Sequence, residues 1–244
     1  MKTDKVLKSL LSLVFGLVFL QDTQAQKAET FVKSMYAKNS KNWYRTLTFT
    51  QDTEFYRGDS IFRKSVWYEM VRFPFELRID VDSIAGGNKT IYKKDSTYRI
   101  RNHKLAQAGV DHNPFIFFLG GMYLLPPDSV FSTLKKEGYD VSKGISTNWN
   151  GRKTFIVGAN NPSDSTSNQF WVDEKDLYIV RVITKLGKDA LDVHLSNHVK
   201  LKKGWSETYV RFYLRGKLIQ TERYRDIKTD VELPDEVFNV DRYR

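Results

Sequence analysis

The chain has 244 residues, 41% hydrophobic and 14% aromatic, which suits one domain with one sizeable core, since all-β chains of this length are often single. It contains no cysteine, which excludes disulfides, zinc–thiolate sites, thiol catalysis and a lipid-modified N-terminal cysteine. The net charge of +10 would suit nucleic acid or anionic headgroups, but the basic residues are scattered, as in Arg63-Lys64, Lys93-Lys94 and Lys200 to Lys203; no recognition helix gathers them, so they read as a solvated sheet face and no nucleic-acid partner is expected.

Lys2, Lys5 and Lys8 precede the apolar run Leu10 to Leu20, and a polar stretch ends at Thr23-Gln24-Ala25. This is the pattern of a secretory signal peptide over residues 1–25. Cleavage after Ala25 would leave residues 26–244 as a single soluble domain, periplasmic in a Gram-negative cell; an uncleaved anchor is the alternative. No later run is long enough to span a bilayer. Ala28, Phe31, Val32, Met35 and Tyr36 then recur at helical spacing, which predicts an amphipathic helix from Lys27 to Lys38.

Strands follow in quick succession. Trp43 to Phe55 alternates, with Trp43, Leu47 and Phe49 on one face and Thr46, Thr48 and Thr50 on the other. Across the turn Arg57-Gly58-Asp59-Ser60, the segment Ile61 to Arg72 puts Phe62, Val66, Tyr68 and Met70 on one face. After Pro74, the residues Phe75, Leu77, Ile79 and Val81 alternate with Glu76, Arg78 and Asp80. Thr90 to Tyr92 and Thr97 to Arg101 form a hairpin across Lys94-Asp95.

The centre of the chain is different. Asn113 to Leu125 carries no charge, and its large side chains cover every face of a helix. Such a helix must be buried or must cover something apolar. It is read as a plug or lid over the open face of a curved sheet; an ordinary core helix fits the same pattern. Asp128 is expected to cap a second helix, Ser129 to Lys136, ended by Gly138.

Sheet resumes with a hairpin across Asn150-Gly151, a favoured two-residue turn. Strands at Phe170 to Val172, Tyr178 to Thr184, Asp192 to Leu201, Ser206 to Leu214 and Leu218 to Asp226 complete a meander of about eleven strands. A long antiparallel sheet curls. If it does not close, helices or a ligand must cover its concave face.

No motif supplies chemistry. His194 and His198 lack a carboxylate cluster suited to a metal, and no serine sits in a nucleophile elbow. Glu54, Glu69, Glu76 and Asp80 lie on strands, and one of them could be an acid of raised pKa, but nothing singles out a pair. No catalytic residue, metal or cofactor is expected.

Several short matches, in order, resemble the LolA/LolB-like superfamily of periplasmic lipoprotein carriers. They are Thr48-Phe49-Thr50-Gln51 in the first strand; Trp67 to Pro74 followed by Phe75-Glu76-Leu77-Arg78; Asn113-Pro114-Phe115 opening the apolar helix; Gln169-Phe170-Trp171-Val172 through Val180-Arg181-Val182; and Leu233-Pro234-Asp235-Glu236-Val237-Phe238-Asn239-Val240. The charged stretch Gly187 to Lys203 departs from the compact carrier.

The resemblance implies a mainly β, α+β fold: an open antiparallel half-barrel with helices in or over its concave face. It implies a non-catalytic carrier or binding protein for lipoprotein acyl chains or another lipid. The expected groove is lined by Leu47, Phe49, Val66, Tyr68, Leu77 and Ile79. A lid carries Phe115, Phe117, Phe118 and Met122, with Gly120-Gly121 as its flexible point. Arg45 is the nearest counterpart of the arginine that latches the lid in the family. The protein is expected to be a monomer, handing cargo to a partner in the inner or outer membrane. Three alternatives stay open: a signalling protein of the same fold that binds a partner protein, like the envelope-stress regulator RseB; a structural envelope protein with a self-filled cavity; and an enzyme on this scaffold.

Overall fold

The computed structural model describes residues 27–244; the predicted signal peptide lies outside the described residues. A helix, α1 (27–39), leads into the strands. The first six are β1 (Thr46–Arg57), β2 (Ser60–Arg72), β3 (Glu76–Val81), β4 (Lys89–Lys93), β5 (Ser96–Arg101) and β6 (Lys104–Val110). The apolar stretch follows as one continuous helix, α2, made of α turns at Pro114–Ile116 and Met122–Leu124 around a wider π turn at Phe117–Gly121. Helix α3 spans Pro127–Lys136. The second set of strands is β7 (Gly144–Trp149), β8 (Arg152–Val157), β9 (Gln169–Asp173), β10 (Ile179–Leu186), β11 (Asp189–Ser196), β12 (Val199–Lys200), β13 (Trp205–Ser206), β14 (Tyr209–Leu214) and β15 (Lys217–Thr229).

Thirteen strands form one open antiparallel sheet in the order β6-β5-β4-β3-β2-β1-β15-β14-β11-β10-β9-β8-β7, and β12 and β13 pair separately. The sheet is therefore two meanders joined back to back at β1 and β15, rather than one meander in chain order. Its free edges are β6 and β7, and the segment carrying α2 and α3 connects them. Local turn chemistry builds the hairpins: Asn150 and Gly151 have φ of 49° and 78°, the pair of positive angles that a two-residue turn matched to strand twist requires.

The main core lies between the concave face and the helices. Ala28, Val32 and Met35 of α1 are buried in it, with Ile116, Phe118, Met122 and Tyr123 of α2 and Val130 and Leu134 of α3. Phe31 stacks on Phe155 at 4.4 Å. Asp128 does not cap α3: the cap position is Pro126 and Asp128 sits in the first turn. Proline with its fixed φ starts the helix there, and the carboxylate complements the helix dipole one step further in.

The convex face carries its own buried polar group. Asp80 is fully buried and receives Arg78 Nε at 3.0 Å, Arg78 Nη2 at 3.1 Å and Lys89 Nζ at 2.9 Å. Arg78 Nη1 also donates to the Val237 carbonyl at 3.2 Å. Beyond it, Val240 and Tyr243 pack on Ile91 and Ile100, so the C-terminal segment is fastened across the back of β3 to β5.

Candidate functional site

The register of the sheet decides which side chains meet on the concave face. Leu47 of β1 lies opposite Val71 of β2, Phe49 opposite Glu69, and Gln51 opposite Trp67. Leu77 and Ile79 of β3 continue the first two rows. On the other flank, β15 sets Tyr224 opposite Gln51 and Glu222 opposite Thr53, and Val210 of β14 lies opposite Glu222.

Helix α2 lies over this surface and divides it. Beneath it is a narrow hollow, about 580 Å³ of unfilled space including its mouth, lined by Leu47, Phe49, Leu77, Ile79, Trp67, Glu69, Val71 and Glu222 together with Phe115, Ile116 and Leu119 of the helix. A wider groove of about 1,620 Å³, much of it open to solvent, continues outward past Val81, Tyr92, Val193 and Phe212. Trp67, Ile79, Asn113, Phe115, Phe212 and Glu222 belong to both. On the other side of α2 a third space, about 1,050 Å³ with its opening, is lined by Phe117 and Phe118 with Pro74, Leu134 and Tyr139.

Of the predicted wall, Leu47, Phe49, Leu77 and Ile79 line the hollow. Val66 and Tyr68 do not, because alternation along β2 puts them on the opposite face from Trp67, Glu69 and Val71. Both faces of this strand carry large apolar residues, and the inward one includes a glutamate, so hydrophobic pattern favoured the wrong parity. A one-residue slip exchanges the faces of a strand completely. The signal that would have found it is Trp67-x-Glu69-x-Val71 read against Leu47-x-Phe49 across a hairpin.

The predicted lid residues divide by position. Phe118 and Met122 are buried in the core, Phe115 faces Phe212 edge-on at 5.8 Å, and Phe117 turns to the third space. The helix is seated by Asn113, whose side chain accepts from the Phe115 backbone N–H at 2.9 Å, and by Trp43 stacked on Tyr123 at 3.8 Å. Gly120 is not a flexible point. It is buried, and a Cβ there would overlap the Phe73 ring; the glycine is needed for close approach. Arg45 is not placed as a latch. Its side chain is exposed and makes no hydrogen bond or ion pair among the described residues, and only its backbone N–H binds Asp230.

Three buried glutamates sit in or beside the hollow. Burial raises Glu69 well above the usual carboxylate range, and repulsion from Glu222 and Glu207 adds to it. Burial pushes Glu222 up to about 7, although Gln220 Nε2 donates to Oε1 at 2.6 Å and the Tyr224 hydroxyl to Oε2 at 2.9 Å. Glu207, between β13 and β14, is pushed by burial up to about 8. All three were invisible as a group in the sequence, where only Glu69 was noted among the strand carboxylates.

These acids give a pH dependence with a definite sign. In the unfolded chain they lose their protons near 4.5, while the folded protein holds them to about 7 and 8 at Glu222 and Glu207. Between those limits the unfolded state binds fewer protons, so stability falls as pH rises. Glu222 and Glu207 each account for roughly 3–5 kcal/mol of that loss. The urea midpoint is expected to drop between pH 5 and pH 8, and Glu222→Gln to flatten the drop. A midpoint unchanged or rising over that window would contradict these environments. Asp192 does not act in this window: burial would raise it, but Arg181 and His194 hold it at about 2.

No protein-family model and no curated protein sequence matches the chain. Solved structures do match in fold. A DUF1329 family protein from Desulfovibrio piger superposes with a TM-score of 0.61 over 91% of this chain and 99% of its own, at 13% identity. A LolA superfamily protein from Nitrosomonas europaea gives 0.57 over 86% and 98%, at 10% identity. An outer membrane lipoprotein-sorting protein domain from Vibrio parahaemolyticus gives 0.56 over 88% and 97%, at 10% identity. The chain thus has the LolA-like fold, an open half-barrel with helices on its concave side.

Proposed function

We propose that this half-barrel is a periplasmic, non-catalytic carrier or binding protein for the acyl chain of a lipoprotein or of another lipid. The observation that carries the reading is the continuity of the wide groove with the hollow beneath α2. The groove is open to solvent, and its walls are largely apolar side chains that are half-buried rather than sealed in the core, among them Trp67, Val81, Tyr92 and Phe212. The groove offers Trp67, Val81 and Phe212 to a chain laid along it, backed by the buried Ile79 and Val193. Each methylene buried there contributes about 0.8 kcal/mol, set against the costs of immobilising the lipid. The balance favours binding weak enough to be reversed by a membrane or a partner. The likeness in fold to a lipoprotein-sorting domain supports the reading. Among the described residues no helix is long and apolar enough to cross a membrane.

One observation favours the self-filled alternative: Ile116, Phe118 and Met122 already occupy part of the concave face. Native mass spectrometry of the protein purified from its own envelope separates the two. A carrier is expected to retain lipid or lipoprotein adducts that dissociate at raised collision energy. An adduct-free mass under the gentlest conditions, with no uptake from added lipid, would sink the carrier reading.

A further inference from the structure

Glu69 is 8% exposed and its carboxyl points into the hollow, yet it has no hydrogen-bond or ion-pair partner among the described residues. Glu222 lines the same hollow and the adjoining groove, and its two oxygens accept from Gln220 and Tyr224. These acids are not balanced by any base of the surrounding strands. Arg78 on β3 is spent on Asp80 at the convex face. Arg211 on β14 and Arg223 on β15 alternate with the inward Val210, Phe212 and Glu222 and so point outward. The titratable groups that do face the two acids are Tyr224 on β15, Tyr92 on β4 and Glu207 before β14, none of them a cation. Strand β1 and the part of α2 over the hollow bring only neutral groups, among them Gln51 and Asn113. Basic side chains enter the wider groove only as exposed residues, Arg63, Lys64, Arg101 and His112, the last of them directed at Glu137 at 3.3 Å.

Buried carboxyls without a counter-charge are costly in either state, and a charge-assisted hydrogen bond is the strongest contact the site lacks. We infer that the hollow receives a basic nitrogen, the amine of a single-chain amphiphile, which Glu69 binds with Glu222 as the second acceptor while the alkyl chain lies along the wider groove. The inference rests on the apolar-groove reading and adds the head group to it. A fatty-acid carboxylate would repel the acids once they ionise and could be held only while they keep their protons, so it is the weakest of the three ligands at pH 8. A neutral alcohol would fill the groove without using the acids. Glu222 borders both spaces, whereas Glu69 lines only the hollow, so Glu222 marks where a nitrogen carried along the groove would enter. Binding the amine ionises the acids, so protons leave as it enters.

The test is calorimetric titration with decylamine, 1-decanol and decanoate at pH 6 and pH 8. Decylamine is expected to bind at least tenfold more tightly than 1-decanol at pH 8, where decanoate is weakest, with the preference shrinking at pH 6. Amine binding is expected to release protons, read from the heats in two buffers of different ionisation enthalpy; this needs no variant. Glu69→Gln, close in shape, is expected to abolish the amine preference, read as the ratio of decylamine to 1-decanol affinity within the variant itself. Equal binding of amine and alcohol, a preference for decanoate at pH 8, or an amine preference surviving in Glu69→Gln would overturn the inference and leave the apolar groove standing. If none of the three binds, the groove reading falls and this inference with it.

Discussion

Phe118→Ala is expected to lose about 3–5 kcal/mol of stability and, at the same time, to take up more apolar ligand. The ring is 2% exposed and packs against Tyr139 at 5.4 Å and Phe170 at 5.5 Å. It also borders both the wide groove and the third space behind α2. Truncation therefore opens a void in the core and joins two spaces that the ring holds apart. The surrounding rings belong to different elements, so the gap cannot close by one small shift. Urea unfolding reads the first effect, and titration with 1-decanol under conditions where the variant is fully folded reads the second. Phe117→Ala, on a less buried ring, is the control and should do less of both. Lower stability with unchanged uptake would mean that the ring is simply core and that α2 does not limit the space for a ligand.

Asp80→Ala is expected to be the most damaging change on the convex face, at about 3–5 kcal/mol. The fully buried carboxylate is shared by Arg78 and Lys89, whose side chains are themselves 9% and 4% exposed. Without it two cations face each other in an apolar setting with no counter-charge. Lys89 keeps a bond to the Gly86 carbonyl at 2.8 Å and Arg78 one to Val237, which is too little to hold both charges. The C-terminal segment should loosen together with the triad, because Val237 is tied to it through Arg78. Chemical denaturation measures the loss, and limited proteolysis after Phe238 or Tyr243 reports the loosening. The exposed pair Arg225–Asp52 on the same sheet is the contrast, and Asp52→Ala should be without measurable effect. A triad variant as stable as wild type would show that the burial of Asp80 is relieved by water.

The strands were legible where one face is apolar and the other polar. β1, β3 and the hairpins around Asn150-Gly151 and Glu174-Lys175-Asp176 follow that rule, and their local turns fix register without help from distant residues. β6 escaped because Leu105, Ala106, Ala108 and Gly109 show no large apolar face; as a free edge it is held by backbone bonds to β5 and needs none. The strand order was not legible, since nothing in residues 46–57 states that their second neighbour lies near the end of the chain. The helix Asn113 to Leu125 was recognised because it is apolar all round, but its glycines were misread: flexibility and close approach use the same residue type, and only the Phe73 ring tells them apart. The carboxyl pair was illegible for a related reason. A strand glutamate counts as outward until its opposite neighbours, Phe49 and Ile79, show otherwise.

The junction of β1 with β15 has a consequence for how the molecule is assembled. Residues 46–57 and 217–229 are mutual neighbours at the centre of the sheet, so the middle of the structure is made from two widely separated stretches of chain. Each outer ribbon of hairpins can form from local contacts, but the floor of the groove exists only after the last long strand has docked. Bringing such distant segments together costs loop entropy before any contact rewards it. The concave floor is thus the last part of the fold to be completed, and a chain arrested before β15 would own two curled ribbons and no continuous groove between them.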